Sequence, residues 1–152
     1  MAQGMAFSIS NLFGFFSTIA PILLGFFMLM ISIFNQNVKG LIYIAGVLLA
    51  LIINLLFMNL IASPTSADAA PTCKLIDFPF GLSQYNNPAP NSMFIAFTFA
   101  YLFLPMKMNN YMNYPVIGSI LGLFGLDAVA AINGSCTTIG GVLIGGLVGM
   151  LL

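Results

Sequence analysis

The sequence contains no histidine, glutamate, arginine or tryptophan, and only three lysines and three aspartates in 152 residues. Without histidine there is no side chain whose ordinary titration lies near neutrality, so Ser–His–Asp and Cys–His nucleophilic devices are excluded. Two cysteines, Cys73 and Cys136, are too few for a thiolate zinc site. A haem held through histidine is excluded as well. No phosphate-cradling G-x-x-x-x-G-K-[ST] loop occurs. The residues therefore imply no cofactor, no metal centre and no hydrolytic enzyme.

The charges are as sparse as the catalytic groups. Lys39, Lys74 and Lys107 balance Asp68, Asp77 and Asp127, so nothing favours a nucleic-acid partner or an acidic lipid surface. Soluble domains carry about 25% charged residues. This chain has 4%, and 61% of it is hydrophobic. Six charges cannot cover a water-facing surface of this size, so hydrocarbon must be the solvent for most of it. The fold class is all-α: a polytopic transmembrane bundle of about five spans forming a single domain over residues 1–152.

Apolar runs place the spans at residues 12–34, 41–62, 92–106, 115–132 and 139–152. The first has room to cross about 30 Å of hydrocarbon at 1.5 Å per residue, with Pro21 expected to kink it. The third and fifth are short, which calls for thinning of the bilayer or shielding by neighbouring helices. Asn54 and Asn59 in the second span are expected to face other helices. Pro115 suits the opening of the fourth. Residues 63–91 form the long connection. They are rich in proline but also hold apolar and aromatic side chains, and are expected to form an ordered interfacial cap.

An odd number of spans puts the cap and the Asn133–Thr138 turn on one side and the Lys39 and Lys107 turns on the other. Lysine counting makes the latter side cytoplasmic. Cys73 and Cys136 then share a side, where they are either a disulfide stapling the cap to the bundle or two buried thiols. Gly141, Gly145 and Gly149 recur every four residues, as do Gly118 and Gly122. Such spacing makes a flat face for close helix approach, within the chain or against a partner.

One constellation has the layout of a known family. Lys74 is followed by six residues and then Gly81-Leu82. Pro88-Ala89-Pro90-Asn91-Ser92 opens the third span. Asp127, Asn133 and Thr137 are separated by five and then three residues, and lead into the glycine-rich run from Ile139 to Gly145. From Lys74 to Gly145 this resembles the membrane-embedded type 2 phosphatidic acid phosphatases, whose pattern is K-x6-R-P, P-S-G-H and S-R-x5-H-x3-D. The resemblance implies a remnant lipid or phosphate site at Lys74, Asn91, Asp127, Asn133 and Thr137. It also implies lost catalysis. Asn91 stands where the acid histidine belongs, Asn133 where the nucleophilic histidine belongs, and Thr137 where its orienting aspartate belongs. Asp127 takes the place of a phosphate-gripping arginine. An amide cannot serve as the phosphorylated nucleophile, and a carboxylate reverses the field an arginine would supply.

A charged residue inside a span calls for a partner, and Lys74 is the candidate to pair with Asp127; the alternative is an Asp127 that snorkels to the interface or is protonated there. The expected function is a non-enzymatic structural subunit of a larger membrane assembly. Its expected partners are membrane lipids and other membrane or capsid-like proteins, as in the internal membrane of a large virus particle. The alternatives are a lipid-binding or weakly active phosphatase relative, and a channel or transporter subunit lined by Asn54, Asn59 and Asp127.

Overall fold

The computed structural model describes residues 9–64, 69, 73 and 85–152. The described residues form five α-helices and no strand: α1 (Ile9–Phe34), α2 (Lys39–Ile61), α3 (Pro90–Met108), α4 (Tyr114–Asn133) and α5 (Ile139–Leu151). Three of these, α1, α2 and α4, are long and apolar enough to cross a membrane, which marks a membrane protein. Their outward faces carry large apolar side chains such as Phe27, Leu56 and Leu126, which hydrocarbon solvates without cost.

Local sequence sets the helix ends. Pro90 opens α3 and Pro115 lies in the first turn of α4, where a missing N–H breaks no helical bond. Asn113 and Thr138 cap α4 and α5 by accepting from Val116 N (3.4 Å) and Gly141 N (3.1 Å). α2 stops at Ala62, whose backbone enters the left-handed region at φ 46° while its N–H still reaches Met58 O. α1 runs through Pro21 as one helix.

The hairpin between α1 and α2 is drawn tight by Ser32. Its hydroxyl donates to the Asn37 carbonyl and accepts from Gly40 N at 2.9 Å. A Cβ on Gly40 would run into Ser32, so only glycine permits this approach.

α3 is the centre of the bundle. Ser92, Met93, Ile95, Ala96, Phe97 and Thr98 are all buried, with α5, α4, α2 and α1 packed against it. Its apolarity is lower than that of the three long helices because polar side chains here meet protein, not lipid. The core joins Tyr43, Val47 and Ala50 of α2 to Met93 and Phe97 of α3. The Tyr43 ring lies 5.9 Å from Phe97 and 5.2 Å from Tyr101. Its hydroxyl is shared with Thr98 Oγ1 at 2.8 Å. Thr98→Val should lower stability by about 1 kcal/mol, read by thermal unfolding in detergent. An unchanged midpoint would mean the phenol finds another partner.

α5 lies along α3 through its glycines. A Cβ on Gly145 would sit 2.5 Å from Ala89 O, one on Gly149 would strike Met93 O, and one on Gly141 would strike Asn87 Oδ1. This face is therefore used up inside the chain. With 13 residues, α5 extends over about 20 Å and crosses less than the hydrocarbon thickness. The Gly118 and Gly122 face of α4 is different: a Cβ at Gly118, Gly122 or Gly125 would meet nothing within 4 Å.

One expectation is revised here. Asn54 is fully buried, but Asn59 faces outward and donates to its own helix at Leu55 O (3.0 Å). Intrahelical bonding to the carbonyl four residues back satisfies the Asn59 amide, so it needs no neighbouring helix. Most of the expected cap lies outside the described residues, except that Cys73 is joined to Cys136 by a disulfide with a Cα–Cα distance of 5.3 Å.

Candidate functional site

The polar interior begins with the segment that leads into α3. Residues 86–89 are held by hydrogen bonds from three directions. Thr137 Oγ1 donates to Asn86 O at 2.7 Å, and the Asn86 N–H reaches Ser63 O at 3.2 Å. Thr137 and Thr138 hydroxyls reach Asn87 Oδ1 at 3.0 and 3.2 Å, while Asn87 Nδ2 donates to Ser63 Oγ at 3.1 Å. Ala89 N donates to Gly141 O at 3.0 Å, and Asn54 Nδ2 to Pro88 O at 3.3 Å. A non-helical backbone inside a membrane protein survives only where its polar groups are met in this way. The absence of a Cβ at Gly141 is what admits Asn87.

This anchored segment delivers Asn91 and Ser92, in the first turn of α3, to Asp127 of α4. Ser92 Oγ lies 3.2 Å from Asp127 Oδ2, and Asn91 Nδ2 lies 3.4 Å from Oδ1. The third contact comes from α1, where Ser17 Oγ donates to Oδ1 at 2.6 Å. The carboxylate is thus clasped by three helices and is 1% exposed. All three groups that clasp it are electrically neutral. Lys39 opens α2 and Lys107 closes α3, at the opposite end of the bundle, so neither faces Asp127.

Of the residues grouped by the phosphatase-like pattern, Asn91 and Asp127 are brought together. Thr137 instead braces residues 86 and 87. Asn133 ends α4 with an outward-facing side chain. Lys74, and with it the Lys74–Asp127 ion pair, lies outside the described residues. Ser17 was not singled out by the sequence. Its only signal there is a serine, beside Thr18, in an otherwise apolar helix, and such hydroxyls commonly bond their own helix, as Thr18 does to Gly14 O at 2.9 Å.

Chemically the cluster offers one carboxylate, two hydroxyls and one amide in a sealed space. It can hold a small positive charge. A substrate of any size would have to part α1, α3 and α4 to reach it. Two acceptors nearby in the chain's polar interior, Asn54 Oδ1 and Asn86 Oδ1, are buried with no donor. Comparison with known protein families, with characterised proteins and with solved structures finds no match, so the site is interpreted from its own geometry.

Proposed function

We propose that this chain is a non-enzymatic structural subunit of a larger membrane assembly, held among lipids and other membrane or capsid-like proteins. The observation that carries the reading is the open glycine face of α4. Other glycines among the described residues have their neighbours: Gly40 meets Ser32, Gly46 meets Phe97, and Gly141, Gly145 and Gly149 meet α3 and the segment before it. Gly118, Gly122 and Gly125 lie on a helix exposed over most of its length, and a Cβ on any of them would meet nothing within 4 Å among the described residues. In lipid, apolar burial gives helices little reason to associate, and association comes from close backbone approach over small residues. A face of this kind suits a partner helix better than it suits acyl chains.

The composition supports the same reading. A chain without histidine, glutamate or arginine has little means of group transfer. The phosphatase-like arrangement, with Asn91 and Asp127 in place of an acid histidine and a phosphate-binding arginine, fits a scaffold that has given up catalysis. The internal membrane of a large virus particle is a setting in which a protein with so little mass outside the bilayer would serve.

Gly122→Leu is the test. Native mass spectrometry of gently extracted membranes should show the wild type with stoichiometric protein partners. The variant should retain less than about a tenth of them while keeping its helix content and thermal midpoint. A wild-type chain that is solitary in native membranes, or that releases phosphate from lipid phosphates, would overturn the reading.

A further inference from the structure

We propose that Asp127, Ser17, Ser92 and Asn91 form an occluded binding site for a single sodium ion between α1, α3 and α4. The argument begins with charge. An ionised carboxylate in the hydrocarbon region requires a compensating partner, and the three side chains on Asp127 are neutral. The described lysines sit at the far end of the helices. Among the described residues no positive charge faces the carboxylate, and a single negative charge is balanced by a monovalent ion, not a divalent one.

The donor set has the right chemistry. Ser17 Oγ lies within hydrogen-bond reach of one carboxylate oxygen and Ser92 Oγ within reach of the other, which brings four oxygens to one place in the bundle. Asn91 adds a fifth when its amide is turned to present Oδ1, an orientation that exchanges oxygen for nitrogen without moving the side chain. Hard cations take oxygen ligands of this kind, from carboxylates, amide carbonyls and hydroxyls. Each hydroxyl can bind an ion through its lone pairs, and Ser17, inside α1, can turn its proton to a backbone carbonyl one helical turn earlier.

The surroundings favour a cation for an independent reason. The same half of the bundle buries two carbonyl oxygens, Asn54 Oδ1 and Asn86 Oδ1, that receive no hydrogen bond. Asn54 is fixed to Pro88 O, in the segment that sets Asn91 and Ser92 in place. The site stands apart from the α4 glycine face and does not depend on the assembly reading.

Radioactive sodium binding to the purified full chain in lipid nanodiscs tests the proposal, with choline keeping ionic strength constant. The wild type should bind a single ion per chain. Asp127→Asn, which keeps the shape and removes the charge, should abolish binding, and Ser17→Ala should weaken it at least about tenfold. Thermal midpoints measured alongside should rise with sodium in the wild type and stay flat in Asp127→Asn. Three results would overturn the idea. One is no bound sodium, with the infrared carbonyl band of a protonated acid present in the wild type and absent from Asp127→Asn: the proton then neutralises the group. Another is sodium binding that appears only in Lys74→Ala, because Lys74 then fills the place. The third is sodium binding undiminished in Asp127→Asn.

Discussion

Gly149→Leu is expected to separate α5 from α3 and leave the chain unable to hold its native fold. A Cβ at Gly149 would strike Met93 O and lie 2.8 Å from Phe97 N. Both are backbone atoms of a helix, and neither can rotate away. Relief requires α5 to move outward as a body, which also strips contacts from Gly145, packed on Ala89, and from Gly141, packed on Asn87. Overpacking in a well-filled interior costs about 1–3 kcal/mol, and a leucine forced against backbone should reach or exceed the upper end. Unfolding in mixed micelles, followed by circular dichroism, measures it. Gly122→Leu is the control: with nothing within 4 Å of its Cβ position, the isolated chain should unfold as the wild type does. If Gly149→Leu unfolds normally too, the close α3–α5 approach is not what holds these helices together.

Asp127→Leu is expected to destabilise the bundle by about 2 kcal/mol, because it removes the acceptor for three donors, Ser92 buried and Ser17 and Asn91 half-buried. Ser17, well inside α1, can recover part of the loss by bonding its own helix, whereas Ser92 and Asn91, in the first turn of α3, have no preceding turn to bond. The pattern across substitutions is the diagnostic part. Asp127→Asn preserves an acceptor oxygen and should cost under about 1 kcal/mol in sodium-free choline buffer, and more once sodium is added. Ser17→Ala removes only the α1 contact, so it should loosen α1 while leaving α3 and α4 together. Hydrogen exchange by mass spectrometry would resolve the difference by element. Equal damage from Asp127→Asn and Asp127→Leu without sodium would mean that the negative charge itself, and not its hydrogen bonds, holds the site.

The fold class was legible because membrane solvation is a composition-level demand. A chain with so few charges and such long apolar runs must form helices that satisfy their own backbone. Proline at the start of α3 and α4, and asparagine or threonine at the caps of α4 and α5, mark their ends through local hydrogen bonding alone. Asn54 and Asn59 look alike on that level and part company in the structure. Asn54 faces the segment before α3, while Asn59, five residues on, has turned to the other side of α2 and bonds its own helix.

The candidate site was partly legible. Asp127 is conspicuous as an acid inside a span, and Asn91 lies near it through the order of the helices. Ser17 is 110 residues away in sequence and carries no local sign of its role, because a hydroxyl in an apolar helix is equally content with a backbone carbonyl. Thr137 and Asn133 share a turn region with Asp127, yet one braces the α3 approach and the other faces outward.

The sequence by itself determined that this protein lives in a bilayer, that it is helical, and that it lacks the side chains of most catalysis, since each of these follows from residue type without regard to neighbours. The tertiary structure decided which of two similar glycine faces is spent inside the chain and which is left open, and which neutral groups surround the Asp127 carboxylate. Those outcomes depend on how far helices rotate and approach one another, and that is fixed by the simultaneous packing of all five, which no single stretch of sequence encodes.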